Sequence, residues 1–226
     1  MSDEQALRIG WRAPEVEDEL PQLRLILARA CLAKAGAAAG RSPRDVRQRV
    51  HECANRYRGA RAVGVRREPV PSAYRVFYRQ IGLDPEVART PLEAVVLERM
   101  MHGGFYSEGL LADALLIALI DTGVPVWALD AAALDGELGV RLSRAGEPLG
   151  GAPDAPLLPG GRLVVADGSA ALGLLFGELA HDRAPGARTL EVELLAVQVA
   201  GVPTLYVEEA LWNCRAILQQ QGPKRW

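Results

Sequence analysis

The chain has 226 residues, of which 49% are hydrophobic and 24% are charged, and its formal net charge is −2. This length and composition suit one well-formed core, or a core with an annexed subdomain, and we expect the chain to fold on its own. The nearly neutral charge excludes a protein that is covered with phosphate-binding surface.

The start of the chain, MSDEQALRIG, lacks the basic-then-apolar pattern of a signal peptide, and no apolar run approaches the roughly 18 residues of a membrane span. We therefore expect a soluble, cytoplasmic protein without a membrane contact. Cys31, Cys53 and Cys214 have no paired spacing, so they predict reduced thiols and neither a disulfide framework nor a zinc site. No nucleotide, dinucleotide or metalloprotease motif is present, and we expect no cofactor and no metal.

The first elements in chain order are two strands and a helix. Residues 7–11 predict a short strand, residues 15–19 an acidic loop, and the alternating leucines of residues 23–29 a second strand. Ser42 is the predicted N-cap of an amphipathic helix, with Pro43 at its first position and an end near Gly59.

The segment from residue 41 to residue 79 is rich in arginine, with eleven Arg against three acids. Such a local excess could bind an RNA backbone by releasing counterions, and Arg47, Arg56 and Arg58 are the candidate RNA-binding residues. The alternative is a solvated helix face, because Arg is the usual surface cation of this chain, which has Lys only at two positions, 34 and 224.

Residues 66–72 are predicted to form an extended connector, because Pro69 and Pro71 disfavour helix before them. Thr90 then caps a helix in which Glu93 occupies the capping-box position, and the helix stops at residues 102–104. A largely apolar helix follows from residue 107 to residue 122. Its lack of a polar face indicates burial on most sides.

The remaining chain alternates short strands and turns. Strands are predicted at residues 124–129, 137–142, 162–166, 172–179 and 192–199, a mobile surface loop at 150–161, and a final helix at 204–220. Strands and helices are mixed without a strict βαβ order, which indicates the α+β class.

The order of motifs from residue 74 to about residue 200 resembles the B3/B4 domain of the phenylalanyl-tRNA synthetase beta subunit. The matching features are the opening YRVFYRQIGLDPEVART, the helix through Glu93 and Arg99, and then Asp113, Gly123, Pro125, Ala128, Asp130, Gly136, Arg141, Gly146 and Glu147. The segment LVVADGSAALGLLFGELAHDRAPGARTLEVELLAV continues the match. The resemblance implies a layered β-sandwich-like core of mixed sheets flanked by helices. It also implies a free-standing relative, with residues 73–226 as the B3/B4-like domain and residues 1–72 packed on it.

In that family the module holds a pocket that hydrolyses tyrosine wrongly attached to the phenylalanine tRNA. On this resemblance Leu115 and Leu116 replace a Thr-Asn pair, Trp127 replaces a pocket His, and Leu195, less securely, replaces a Glu. Gly173 and Gly177 match glycines that line the pocket, so the implied pocket keeps its shape and loses its polar groups. The leading hypothesis is a protein that binds tRNA, aminoacyl-tRNA or a small amino-acid-like ligand without hydrolysing it.

The alternative is a trans-editing hydrolase with a relocated site around His181 and Arg183. His181 could act as a general base or be an ordinary turn residue, and Arg183 could hold a carboxylate or phosphate. Glu178 could pair with Arg183 as readily as take part in catalysis. Trp127 could form a stacking wall for the ligand or belong to the core. A small-molecule enzyme built on the same His181–Arg183 cluster is a third reading.

Overall fold

The computed structural model describes residues 6–219, which form two four-stranded sheets flanked by helices. The strands are β1 (Arg8–Ile9), β2 (Trp11–Arg12), β3 (Arg24–Cys31), β4 (Val126–Asp130), β5 (Gly139–Leu142), β6 (Leu163–Ala166), β7 (Ala171–Leu174) and β8 (Glu191–Gln198). The helices are α1 (Pro14–Glu19), α2 (Arg44–Arg56), α3 (Ala60–Gly64), α4 (Pro69–Gln80), α5 (Pro91–His102), α6 (Leu110–Thr122) and α7 (Thr204–Gln219). The predicted α+β class is confirmed.

The first sheet has the order β1-β3-β8-β4 and is antiparallel throughout. β3 pairs with β8 along its whole length, from Arg24 opposite Gln198 to Cys31 opposite Glu191. α7 packs on both of these strands and on α6, and residues 192–197 of β8 are all buried. This stretch is apolar except for Glu193, whose buried carboxylate accepts hydrogen bonds from Arg8 and Arg29 at 2.5 and 3.2 Å.

The second sheet has the order β2-β5-β6-β7, in which β2 runs parallel to β5 and the other pairs are antiparallel. The chain passes from the first sheet to the second at Gly10, where a Cβ atom would lie 2.5 Å from the Leu138 carbonyl oxygen. Trp11 crosses Gly139 so closely that a Cβ there would lie 2.0 Å from the Trp11 ring. These two glycines therefore allow the sheets to join.

Several predicted elements are found near their expected positions. In the capping box, the Thr90 hydroxyl donates to Glu93 Oε2 at 2.7 Å, and the Thr90 backbone N–H donates to the same oxygen at 3.1 Å. α5 ends at Gly103 and α6 at Gly123, each with φ of 77°. The strands predicted from residue 23 onward match β3 to β8, except that the strand predicted at residues 172–179 ends at Leu174, where the chain turns. The strand predicted at residues 7–11 is divided at Gly10 into β1 and β2, and α7 matches the predicted final helix as far as residue 219.

Three predictions about the N-terminal half are wrong. The expected acidic loop at residues 15–19 is α1, because Pro14 suits the first helical position and acids stabilise a helix N-terminus. The expected connector at residues 66–72 is a short 3₁₀ turn, Val65–Arg67, followed by the start of α4, since prolines in a first turn lose no helical hydrogen bond. Ser42 does not cap α2; its hydroxyl donates to Asp113 instead, at 2.5 Å.

The loop at residues 150–161 is more ordered than a mobile surface loop would be. It follows a 3₁₀ turn, Leu149–Gly151, and Leu149 and Leu158 are buried in a small apolar cluster with Val164, Ala171 and Ala180. The division of the chain at residue 72 stays a prediction, and β3 from before it pairs with β8 from after it. Within residues 6–219, no helix is long and apolar enough to cross a membrane.

Candidate functional site

Phe176 lies in a tight turn after β7 and has a φ of 62°, in the left-handed region that side chains disfavour. The turn is closed by hydrogen bonds from the Gly177 N–H to the Leu174 carbonyl, at 2.9 Å, and from the Leu174 N–H to the Glu178 carbonyl, at 3.0 Å. A non-glycine residue in this conformation costs about 1 kcal/mol. Such an outlier indicates that the surrounding structure holds the residue in place.

The ring of Phe176 contacts four other aromatic rings, which holds it in this conformation. Its centroid lies 5.2 to 5.9 Å from those of Tyr74, Phe77, Tyr78 and Trp127. Edge-to-face aromatic pairs contribute about 0.5–1.5 kcal/mol each, so these contacts together offset the backbone strain. Phe176 is thus the centre of an aromatic cluster between α4 and β4.

A cavity of about 540 Å³ opens beside Phe176, and we call it the Phe176 cavity. Its walls are α1, the end of α4 with the turn that follows, and the edge of the second sheet. The lining combines apolar side chains with charged ones, and Gly177 also borders it. The apolar residues include Leu83, Leu163, Leu175 and Phe176, and the charged ones are Glu15, Glu19, Arg89 and Arg162.

Tyr78 contributes a polar group to the lining of the Phe176 cavity. It is 2% exposed, and its hydroxyl makes no hydrogen bond with any residue in the described range 6–219. Burial, helped by the nearby Glu93 carboxylate, raises the pKa of Tyr78, so the hydroxyl stays protonated at neutral pH and can donate. By contrast, the Tyr74 hydroxyl donates to the Val197 carbonyl at 2.7 Å.

Trp127 and Leu195 do not border this cavity, although the Trp127 ring contacts that of Phe176. They face each other across β4 and β8 and pack with Val165 and Leu179 in an apolar cluster too tight to admit a water molecule. Gly173 is buried against this cluster, since a Cβ there would lie 2.4 Å from Leu179 Cδ2. The structure therefore brings Trp127, Leu195 and Gly173 together, but around a filled space.

Leu115 and Leu116 lie half-buried on α6. Leu116 lines a separate cavity of about 190 Å³ with His102 and Tyr106, so it and Trp127 border different cavities. Asp113, on the same helix, is buried and accepts hydrogen bonds from Ser42, Ser107 and the Glu108 N–H, at 2.5, 2.5 and 3.1 Å. Its carboxylate ties α6 to the two segments that precede α2 and α6.

His181 and Arg183 lie in a 3₁₀ turn, His181–Arg183, that does not border the Phe176 cavity. Arg183 donates to the carbonyl of Ala133 and, at 3.2 Å, to that of Gly150, and it pairs with Asp182 at 3.4 Å. The guanidinium thus joins three turns, although its Nε makes no hydrogen bond. His181 and Glu178 are both exposed, and Glu178 does not border the cavity either.

The arginines of α2 differ in how far acids neutralise them. Arg56 and Arg49 both pair with Asp121 of α6, at 2.6 and 2.5 Å. Arg47 and Arg58 make no ion pair within residues 6–219, and Arg58 is exposed whereas Arg47 is half-buried. Five of the eleven arginines make ion pairs, namely Arg49, Arg56, Arg61, Arg66 and Arg75. The positive excess is therefore smaller in the fold than in the sequence.

Sequence reasoning missed Tyr78, Phe176 and the four charged residues of the Phe176 cavity. Two signals existed: Tyr78 falls within the opening motif of the resemblance, and Gly177 lies inside the strand predicted at residues 172–179, where a glycine often marks an interruption. No local pattern marks Arg89 or Arg162 as neighbours. In the described part of the chain, no group of three or more His, Cys, Asp or Glu side chains could hold a metal ion.

Comparison with known proteins gives one partial similarity. No family model matches the chain. A stretch of 68 residues is 40% identical to the phenylalanine–tRNA ligase beta subunit of Xanthomonas axonopodis pv. citri (strain 306), and it covers 30% of this chain and 8% of that protein. The chain thus matches only a small part of that subunit, which gives weak support to a distant relation.

Proposed function

We propose that the protein binds tRNA, an aminoacyl-tRNA or a small aminoacyl-like ligand, and that it does not hydrolyse what it binds. The partial similarity to a tRNA ligase subunit supports the link to tRNA. One observation supports the proposed binding without hydrolysis. An open cavity with a charged rim lies next to a closed apolar cluster. That cluster holds Trp127 and Leu195, at positions where the resemblance implies hydrolytic groups.

The proposed absence of hydrolysis is based on the cluster around Trp127. Ester hydrolysis needs a positioned water and donors that stabilise the developing oxyanion. The cluster around Trp127 has no space for water and is lined by apolar side chains. The Phe176 cavity has space, and its volume is within the range of about 300–1,000 Å³ that is typical of small-molecule sites.

The arginines of α2 and of the loop that follows it are the second part of the proposal. Arg47 and Arg58, which lack ion pairs within residues 6–219, are freer to contact phosphates than Arg56, which is paired with Asp121. Binding of unfractionated tRNA should fall steeply as salt rises, and Arg47→Glu with Arg58→Glu should weaken it. Arg188→Glu, in an exposed loop, is the matched control. No binding at low salt, or equal binding by both variants, would remove the RNA contact.

The ligand site is tested with tRNA that carries an amino acid through a stable amide link, compared with the same tRNA uncharged. We expect the aminoacylated form to bind more tightly. Ala88→Phe, which places a ring in the Phe176 cavity, should abolish the difference, while Ala112→Phe, which fills the 190 Å³ cavity, should preserve it. Equal affinities for the two tRNAs in the unmodified protein would contradict the proposal.

A further inference from the structure

The charges around the Phe176 cavity are separated by sign. Glu15 and Glu19 are four residues apart on α1 and therefore lie on one face of that helix. Arg89 precedes α5, and Arg162 directly precedes β6. No ion pair within 4 Å links these four side chains to each other or to any other residue of the described range 6–219, although all four border one cavity.

From this arrangement we infer that the Phe176 cavity binds a zwitterion with an apolar body. The ammonium group of the ligand is held by Glu15 and Glu19, and its oxyanion by Arg89 and Arg162. The inference rests on the proposed function, because it names the ligand class of the same cavity. It adds the requirement that the ligand carries both a positive and a negative charge. A cavity that bound an apolar group alone would not require either charge.

The two acids and the two arginines border one cavity but do not pair with each other. Each can therefore pair with a ligand group of opposite charge. Ammonium–carboxylate contacts are charge-assisted hydrogen bonds, and the planar guanidinium of Arg matches the two oxygens of a carboxylate or phosphate. The apolar lining by Leu83, Leu163 and Phe176 then contacts the body of the ligand. The acidic, basic and apolar parts of the lining therefore match the ammonium group, the carboxylate and the apolar side chain of an amino acid.

The Tyr78 hydroxyl is an independent sign that the cavity accepts a polar ligand. The Tyr78 side chain borders the cavity, and its hydroxyl makes no hydrogen bond with any other residue of the described range 6–219. A ligand oxygen or nitrogen that reaches this hydroxyl would form one hydrogen bond with it. Tyr78 also contacts the ring of Phe176, at a centroid distance of 5.2 Å, so the polar group and the apolar surface adjoin.

Two kinds of oxyanion fit Arg89 and Arg162 equally well. One is the carboxylate of a free amino acid, and the other is the phosphate of an aminoacylated nucleotide. Calorimetric titration of the full chain distinguishes them. The probes are L-leucine and L-phenylalanine, their methyl esters and N-acetyl forms, and a 3′-amide-linked phenylalanyl-adenosine 5′-monophosphate. We expect a probe with both charges to bind about tenfold more tightly than its singly charged derivative. Tight binding of the nucleotide alone assigns the oxyanion to phosphate.

Charge-neutral variants test the four charged residues. The pair Glu15→Gln and Glu19→Gln should weaken binding of the best probe about tenfold, as should the pair Arg89→Gln and Arg162→Gln. Asp18→Asn and Arg79→Gln are matched controls, since both residues are exposed, lie beside these elements and do not border the cavity. The controls should bind as the unmodified protein does.

Removal of the Tyr78 hydroxyl, by Tyr78→Phe, should weaken binding by roughly two- to tenfold, the effect of one hydrogen bond. Binding that is unchanged in both charge pairs, or that is equal for zwitterions and their singly charged derivatives, would overturn the inference. If the preference for aminoacylated tRNA persists in that case, only the zwitterion inference fails. If that preference is absent and no probe binds, both proposals fail.

Discussion

The two sheets of this protein differ in what surrounds them. The first sheet lies under α6 and α7, and its strand β8 has six consecutive buried residues. The second sheet is built from strands of two to four residues and borders an open cavity, with Phe176 in a left-handed conformation at its edge. We therefore expect the enclosed first sheet to supply the larger share of the stability, and we propose that the edge of the second sheet carries the binding site.

Hydrogen bonds to carboxylates hold the loops that connect the strands of the second sheet. Arg141 of β5 holds Glu147 through two hydrogen bonds of 2.8 Å, and Asp167 accepts hydrogen bonds from the N–H groups of Asp135, Ser169 and Ala170. The hydrogen bonds from Arg141 hold the pKa of Glu147 below its ordinary value of 4.5. Burial by itself raises the pKa of Asp167, but the hydrogen bonds from its N–H donors lower the pKa by more than that. The pKa of Asp167 therefore lies below its ordinary value of 3.8. This region should therefore be the more sensitive to acid.

The largest expected effect is in the first sheet. Leu194 is fully buried in β8, and Leu194→Ala should lower the free energy of unfolding by about 3 kcal/mol, because it leaves a cavity in a packed core. Leu174→Ala in β7, where the side chain is half-buried, should cost about half as much. Urea denaturation measures both. Equal losses would show that the two sheets are packed equally well.

The next effect is at Phe176. Phe176→Ala should cost about 2 kcal/mol, below the range for fully buried aromatic residues, because the ring is half-buried. Phe176→Gly should be up to about 1 kcal/mol more stable than Phe176→Ala, since glycine adopts positive φ without strain. Urea denaturation of the two variants measures this difference in the free energy of unfolding. A glycine variant less stable than the alanine variant would show that the turn imposes no strain.

The smallest effect concerns pH. A carboxylate with a lowered folded pKa stabilises the fold above its unfolded pKa, and that contribution is lost as pH falls through the folded value. For Glu147 the loss begins as pH falls through 4.5, and Glu147→Gln should remove roughly 1 kcal/mol of the acid sensitivity. Thermal melting between about pH 6 and pH 3 measures it. Asp154→Asn, an exposed change in the same loop, is the control, and the same pH slope in both variants would refute the role of Glu147.

Local signals in the sequence predicted much of the fold. The capping box at Thr90, the glycine ends of α5 and α6, and the largely apolar sequence of β8 are each local features of the chain. α1 and the start of α4 were mistaken for irregular segments because acids and prolines are equally common in loops and in the first turn of a helix.

The site was less predictable, because four separate parts of the chain build it. Residues 15–20, 78–89, 161–163 and 174–177 supply most of its lining, and no spacing within any one of them indicates that they meet. The resemblance placed Leu116 and Trp127 in one pocket, whereas in the fold they border different cavities. Only the packing of α1 and α4 against the second sheet reveals where the space lies.

We propose, above all, that the protein binds an aminoacyl ligand without hydrolysing it. The most direct measurement is single-turnover deacylation on a panel of correctly and wrongly charged tRNAs, with binding of the same tRNAs measured in parallel. We predict binding without any acceleration of deacylation over buffer. Deacylation that is clearly accelerated, and that is abolished by His181→Ala or Arg183→Ala, would contradict the account and establish a hydrolase with a relocated site.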